Sequence, residues 1–255
     1  MGSTTGRHIT TLLFDCDNTL VQSETVAFEA CADLTNEILA SRNVDLQFTG
    51  PQLQREFVGL SFQAMMRALE EKYKVSCNLS EADLEKYAGM EDDRVIAKLM
   101  QKLQPCVGVN AELERLAGLE NKRYHLAVVS SSALRRVQAS LDKAGQAGFF
   151  AKGDVFSAAD SLPVPTSKPD PAVYLHALEK LGKTAGECLA IEDSRSGATS
   201  AGRAGILTLG YVGAYEEAEE RERMSKVLTE AGCKLIMSDW AEFKECLEKI
   251  ERGDM

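Results

Sequence analysis

Short apolar runs recur along the chain, and longer amphipathic segments separate most of them. The runs are rich in leucine and branched residues, which is typical of strands buried on both faces of a parallel sheet. They cover residues 9–15, 125–130, 154–157, 188–192, 206–210 and 234–237. Because strands alternate with helices over most of this length, the pattern predicts an α/β fold whose parallel sheet is covered by helices on both faces.

The region between the first two predicted strands has a helical pattern instead. Its first helix carries an apolar stripe at every fourth residue, at Val26, Ala30, Leu34 and Ile38. Further helices are predicted over residues 61–74 and 80–103. Residues 46–59, which include Pro51, have the composition of a loop.

This pattern predicts two domains of unequal size. The chain has 255 residues, of which 44% are hydrophobic, and this is enough for one large core or for two smaller ones. We expect residues 1–22 and 105–255 to form the α/β domain. Residues 23–104 should form a small all-helical domain inserted after the first strand.

The charge balance restricts the partners. The chain carries 29 basic and 39 acidic residues, a net charge of −10. An acidic surface disfavours nucleic acids and anionic membranes, so we expect neither as a partner. We also expect a monomer. A small phosphorylated metabolite remains compatible with this charge, because one lysine and a metal ion can reverse the field locally.

The expected location is the cytoplasm. Seven cysteines are scattered along the chain without a Cys-x-x-Cys pair, which favours buried free thiols in a reducing compartment. No apolar run is long enough to span a bilayer. The first six residues lack the charged and apolar regions of a signal peptide, and Gly6 stands where a myristoylation motif needs Ser or Thr.

Two carboxylates, Asp15 and Asp17, stand where the first predicted strand ends. One carboxylate can attack phosphorus and form an aspartyl-phosphate, while the other protonates the leaving oxygen and later deprotonates a water. Two anions beside a phosphate require a cation, and Mg²⁺ prefers oxygen ligands of this kind. The alternative is a pair of solvated turn residues, although burying such charges without compensation costs on the order of several kcal/mol.

Three hydroxyls, those of Ser130, Ser131 and Ser132, follow the second predicted strand. Serine hydroxyls and turn N–H groups can bind phosphate oxygens without adding charge. The serines could instead cap a helix that begins near Ala133, and the sequence leaves both roles open.

A single lysine, Lys168, precedes a helix start. Pro169 biases it toward extended backbone, and Asp170 and Pro171 are typical of a helix N-terminus. The local structure around the lysine is therefore constrained. The alternative is a solvated surface lysine, which is the usual environment of this residue type.

The predicted strand over 188–192 ends in a second acidic pair, Glu192 and Asp193. Asp193 is the better candidate for a metal ligand, and Glu192 would support it. A helix N-terminus also attracts acids through its dipole, but that explains one acid better than two. All of these groups lie at or just after predicted strand ends, where sites in parallel α/β folds are found.

Together these segments resemble the four motifs of the haloacid dehalogenase superfamily. The matching segments are Asp15-Cys16-Asp17-Asn18-Thr19, Ser130, Lys168 before Pro169, and Glu192-Asp193-Ser194 with Gly197. The resemblance implies a Rossmann-like core and a helical cap at residues 23–104. Asn18 stands where glycine is commoner, but asparagine also tolerates unusual backbone angles.

The resemblance also implies roles for individual residues. Asp15 would be the nucleophile and Asp17 the general acid and base, while Lys168 would neutralise the nucleophile and the phosphate. Ser130, with Ser131, would bind the transferring phosphoryl group. Mg²⁺ would be held by the acids of the first and fourth motifs, namely Asp15, Asp17, Glu192 and Asp193. Ser61 belongs to Gly59-Leu60-Ser61, which resembles a cap segment facing the active site, or it caps the next helix.

Within this superfamily we expect a phosphatase acting on a sugar or polyol monophosphate. The main alternative is a β-phosphoglucomutase-like enzyme, in which an arginine follows the cap Gly-x-Ser and binds a second phosphate. Here that position is Phe62, which favours hydrolysis. A non-enzymatic binding module would be expected to lack one of the four key residues, and none is lacking. Four side chains suggest a partly apolar cap wall: Phe57, Phe62, Met65 and Met66.

Overall fold

The computed structural model describes residues 7–57, 59–120 and 123–254. Residues 1–6, on which the expectation of no signal peptide rests, lie outside this description. The chain divides into two compact units, one formed by Met1–Gln22 with Gln104–Met255 and the other by Ser23–Leu103. We call them the α/β unit and the helical unit.

The described residues of the helical unit form four helices: α1 Glu24–Ser41, α2 Gly50–Phe57, α3 Phe62–Tyr73 and α4 Glu81–Lys102. The prediction of a loop over 46–59 is therefore wrong for residues 50–57. Pro51 lies in the first turn of α2, where the missing N–H is not needed for a helical hydrogen bond. Leu53 and Phe57 of this short helix are buried, so tertiary packing stabilises a segment whose composition favours a loop.

The α/β unit is built on a six-stranded parallel sheet in the order β3-β2-β1-β4-β5-β6. Its strands are β1 Thr11–Phe14, β2 His125–Ser130, β3 Val155–Ser157, β4 Cys188–Glu192, β5 Leu207–Tyr211 and β6 Leu235–Met237. Every predicted strand is present and the α/β fold class is confirmed. β1 lies in the middle, with Phe14 in register with Val128 of β2 and Ile191 of β4.

Six α-helices follow in the part of this unit that the structure describes: α5 Val109–Ala117, α6 Leu134–Lys143, α7 Ala172–Leu181, α8 Arg195–Arg203, α9 Ala218–Glu230 and α10 Phe243–Arg252. They bury both faces of the sheet. Leu13 belongs to an apolar cluster with Val129 and Tyr174. Phe14 points the other way, and its ring centroid lies 6.1 Å from that of Trp240. Two-sided burial explains why the strands read as continuous apolar runs.

Among the described residues, no helix combines the length and the apolar character that crossing a membrane would require.

Candidate active site

The candidate site lies at the carboxyl edge of the sheet, where β1, β2 and β4 end side by side. The N–H of Asp15 donates to the carbonyl of Ile191 at 3.0 Å, so Asp15 continues the β1 ladder by one residue. Ser130 ends β2, and Glu192 ends β4 with Asp193 directly after it. Parallel strands in register bring these groups together although they are far apart in sequence.

Lys168 links two of the acids. Its Nζ donates to Asp15 Oδ1 and to Glu192 Oε1, each at 2.6 Å, and to the carbonyl of Val129 at 2.8 Å. These three bonds use all three donors of the ammonium group. The side chain is only 3% exposed, so the alternative of a solvated surface lysine is wrong. The peptide bond between Lys168 and Pro169 is cis.

Burial determines the protonation of this pair. It raises the pKa of Asp15 to about 7, although the positive charge of Lys168 acts in the opposite direction. Burial alone would lower the pKa of Lys168, but the charges of Asp15 and Glu192 outweigh it, and this pKa lies above its ordinary value. The lysine therefore stays cationic at neutral pH. Burial also raises the pKa of Cys16 well above the usual range, so this thiol is a packing group.

Three carboxylates form a cluster suited to a hard metal ion. One oxygen from each of Asp15, Glu192 and Asp193 lies within 4.8 Å of the others, and all three residues are buried. Glu192 Oε2 is buried without a hydrogen-bond partner among the described residues. Magnesium prefers carboxylate oxygens, so the donor set fits this ion.

Asp17 lies outside the carboxylate cluster. Asp17 Oδ2 accepts a hydrogen bond of 2.6 Å from the hydroxyl of Ser132. Beyond the end of β1 the chain turns, and Asn18 takes a positive φ of 57°. The carboxylate of Asp17 is thus not part of this cluster, and its role as a metal ligand stays a prediction.

The serines after β2 do not cap α6, so that alternative is wrong. Ser130 Oγ accepts from the N–H of Ser132 at 3.0 Å, and Ser131 Oγ accepts from the N–H of Lys168 at 3.1 Å. The cap comes from a different loop, because Asp160 Oδ2 accepts from the N–H of Leu134 at 2.6 Å. The serines thus organise the site loop, and hydroxyl protons of Ser130 and Ser131 stay available for a phosphate oxygen.

Ser61 lies in the helical unit and caps α3, where its Oγ accepts from the N–H of Ala64 at 3.3 Å. The capping role left open by the sequence is therefore present. Phe62, Met65 and Met66 beside it are buried in the core of this unit, and Phe57 is buried there too. These four side chains are core residues of the helical unit.

Two tyrosines near the carboxylate cluster were not predicted from the sequence to be site residues. The hydroxyl of Tyr174 donates to Glu192 Oε1 at 2.5 Å, and that of Tyr215 lies 3.3 Å from Asp193 Oδ2. Tyr174 sits on the apolar face of α7, where its pattern indicates only core packing. Its contact with Glu192 forms only because α7 packs beside the end of β4 in the folded chain.

A buried lysine between two acids, at the carboxyl edge of a parallel sheet, is typical of the active site of an α/β enzyme. The chain belongs to the haloacid dehalogenase-like hydrolases, since the model of that family matches residues 9–205.

Individual relatives agree with this assignment. The chain is 32% identical over 201 residues to protein CbbY of Rhodobacter capsulatus, covering 76% of this chain and 82% of that protein. It is 28% identical over 195 residues to a phosphorylated carbohydrates phosphatase of Thermotoga maritima, covering 76% and 81%. A solved haloacid dehalogenase-like protein of Agrobacterium tumefaciens has a TM-score of 0.73 over 95% of this chain and 99% of that one. At 22% identity, this last match shows the fold alone.

Proposed function

We propose that the protein is a Mg²⁺-dependent phosphatase that hydrolyses a sugar or polyol monophosphate through an aspartyl-phosphate on Asp15. The observation that carries this proposal is the buried pair of Asp15 and Lys168 at 2.6 Å, with a second acid, Asp17, two residues away. A nucleophilic carboxylate and a general acid are both needed for transfer to the enzyme and for hydrolysis of the intermediate.

The residues support a two-step reaction. A carboxylate oxygen of Asp15 attacks phosphorus, the bond from phosphorus to the ester oxygen breaks, and Asp17 gives its proton to the leaving alkoxide. Asp17, now a carboxylate, takes a proton from a water that attacks the phosphorus of the aspartyl-phosphate. Phosphate leaves and Asp15 is restored as a carboxylate.

The charges around this path favour phosphoryl binding. Lys168 supplies a fixed positive charge, and Ser130 and Ser131 supply neutral donors on the same side of the sheet edge. Asp15, Glu192 and Asp193 would hold Mg²⁺, which when bound offsets the negative charge of the acids and the phosphoryl group.

The substrate class is inferred from similarity and from the site. One relative is named a phosphorylated carbohydrates phosphatase. We propose the same class here, with residues 23–104 acting as the cap that selects the organic part of the substrate and Ser61 contributing to it. We also propose a cytoplasmic monomer without nucleic-acid or membrane partners. All seven cysteines are free and buried, which suits a reducing compartment.

Hydrolysis is favoured over mutase activity by Phe62. A mutase must hold a bisphosphate, and a phosphate dianion without a cationic partner is costly to desolvate. Phe62, which stands where the mutase pattern places an arginine, is 8% exposed within the core of the helical unit.

The test is phosphate release from para-nitrophenyl phosphate and from a panel of sugar and polyol monophosphates, with Mg²⁺ and with EDTA. We expect release with the metal and none after chelation. No release from any substrate by a correctly folded sample would favour a binding module instead.

A second assay separates phosphatase from mutase. The enzyme is incubated with β-glucose 1-phosphate and a trace of β-glucose 1,6-bisphosphate. We expect inorganic phosphate to appear without any need for the bisphosphate. Glucose 6-phosphate accumulating much faster than inorganic phosphate would show a mutase.

A further inference from the structure

Glu192 is a fully buried carboxylate that three different segments of the chain approach. It ends β4 and has no exposed surface. Its Oε1 accepts two hydrogen bonds, from Lys168 at 2.6 Å and from the hydroxyl of Tyr174 on α7 at 2.5 Å. A charge buried this deeply is tolerated only where donors hold it, so these two bonds determine where the carboxylate lies.

The other oxygen is confined by a glycine. A Cβ placed on Gly197, in the first turn of α8, would lie 1.6 Å from Glu192 Oε2. Any side chain at position 197 would therefore collide with the carboxylate. Glu192 is thus held between the tyrosine hydroxyl on one side and the backbone of α8 on the other.

Lys168 depends on this arrangement for its own position. Two of its three partners, Asp15 and the Val129 carbonyl, lie on or next to β1 and β2, and the third is Glu192. The ammonium nitrogen also lies 5.3 Å from the ring centroid of Tyr174. One tyrosine therefore contacts the lysine through its ring and the glutamate through its hydroxyl.

We propose that Tyr174 is a positioning residue for phosphoryl transfer, whose hydroxyl anchors Glu192 and thereby places Lys168 against Asp15. Burial raises the pKa of Tyr174 well above its usual value, so the hydroxyl keeps its proton and remains a donor. This inference rests on the phosphatase function proposed above. It adds Tyr174 as a residue that affects the reaction indirectly, through Glu192 and Lys168.

The substitution Tyr174→Phe isolates the hydroxyl, because it keeps the ring that lies beside Lys168. With saturating Mg²⁺ and para-nitrophenyl phosphate, we expect kcat per folded molecule to fall about tenfold, the loss expected when one charge-assisted hydrogen bond of the preorganised site is removed. KM should stay within about twofold, because the phosphate-binding serines are unchanged.

A matched control is Tyr124→Phe. The hydroxyl of Tyr124 also donates to a glutamate, Glu251, at 2.8 Å, and Tyr124 is buried as well. Within the described ranges, its hydroxyl and ring contact Glu251 and Arg123, neither of which is a site residue. We expect a comparable change in Tm for both variants, with kcat lowered only in Tyr174→Phe. Equal kcat values per folded molecule in the two variants and the wild type would overturn the proposal.

A double-mutant cycle tests the route through Glu192. In a Glu192→Gln background, adding Tyr174→Phe should lower kcat by no more than about twofold, because the anchored carboxylate is already gone. A tenfold loss in both backgrounds would show that Tyr174 acts independently and would refute the proposal.

The same four proteins, compared by their free energies of denaturant unfolding, test the Tyr174–Glu192 contact independently of the proposed phosphatase function. If the wild type releases no phosphate, the phosphatase proposal fails, while the coupling between Tyr174 and Glu192 in unfolding is still measured. Additive effects on unfolding would then reject the anchoring contact itself.

Discussion

Asp15 and Glu37 are each paired with a cation at 2.6 Å, yet their pKa values move in opposite directions. Burial raises the pKa of Asp15 to about 7 despite its contact with Lys168. The hydrogen bonds from Arg94 lower the pKa of Glu37, which lies on the surface of the helical unit. The same type of contact therefore has opposite consequences in the two units, and the difference is access to water.

The surroundings of the two pairs explain this difference. Along α1 and α4 the ion pairs are partly exposed, with 60% of the Glu37 side chain and 35% of the Arg94 side chain accessible. Water screens such pairs and can replace either partner. At the sheet edge, Asp15 and Lys168 are 10% and 3% exposed, so each charge depends on its protein partners. The contrast is therefore between an ion pair at a solvated helix surface and one enclosed at the edge of the sheet.

The largest expected effect is that of Asp15→Asn. An amide cannot form the aspartyl-phosphate, so turnover should fall below detection while the fold stays intact. The checks are phosphate release, circular dichroism and trapping of the phosphoryl adduct in the wild type. An adduct trapped on any other residue would contradict the assignment.

Asp17→Asn should have the next largest effect. General acid–base catalysis is typically worth about 10²–10⁴-fold, so kcat should fall by that factor for substrates with poor leaving groups. Binding of inorganic phosphate should change little, because Asp17 accepts its bond from Ser132 outside the carboxylate cluster. A near-normal rate with an alkyl phosphate would exclude Asp17 from this role.

Lys168→Met tests how much the buried ion pair contributes to the stability of the fold. Removing one partner of a buried ion pair typically costs about 3–5 kcal/mol, and here both Asp15 and Glu192 lose their cation. We expect a loss of that size in denaturant unfolding, measured at pH 8 with EDTA present. A loss below 1 kcal/mol would mean that water reaches these carboxylates.

The raised pKa of Asp15 predicts how stability depends on pH. In chelated protein the folded state holds the Asp15 proton up to about pH 7, whereas the unfolded state loses it near the ordinary aspartate pKa of 3.8. The free energy of unfolding should therefore fall as pH rises between these values, by up to about 4 kcal/mol at about 1.4 kcal/mol per pKa unit.

Asp15→Asn removes this titration and serves as the control. The difference in unfolding free energy, wild type minus variant, should decrease from pH 4 to pH 7 and then stay constant. A difference that is independent of pH would show that the Asp15 carboxylate is not destabilised by burial.

The smallest effect is expected at the exposed pair. Arg94→Met should change the free energy of unfolding by about 0–1 kcal/mol, because Glu37 returns to water. The same measurement as for Lys168→Met applies. A loss as large as that of Lys168→Met would remove the distinction between the two units.

The sequence by itself determined the architecture and the main site residues. Six apolar runs became six parallel strands because each is buried on both faces, which leaves a continuous apolar signal. Asp15 and Asp193 could be identified because charged residues directly after such runs are unusual in a purely structural protein. Lys168 could be identified because it precedes a helix start and matches the lysine motif of the family. These signals are local in sequence, so no tertiary information was needed to find them.

The tertiary structure decided the contacts between these segments. From the sequence Tyr174 is predicted to be a core residue, and only the packing of α7 beside β4 brings its hydroxyl to Glu192. Similarly, the N-terminus of α6 is capped by Asp160, which lies 26 residues after Leu134 in the chain. The helix α2 forms in a segment with a loop-like composition because Leu53 and Phe57 are buried in the core of the helical unit. Hydrogen bonds and packing between distant segments leave no local periodicity, so only the folded chain shows which hydroxyl meets which carboxylate.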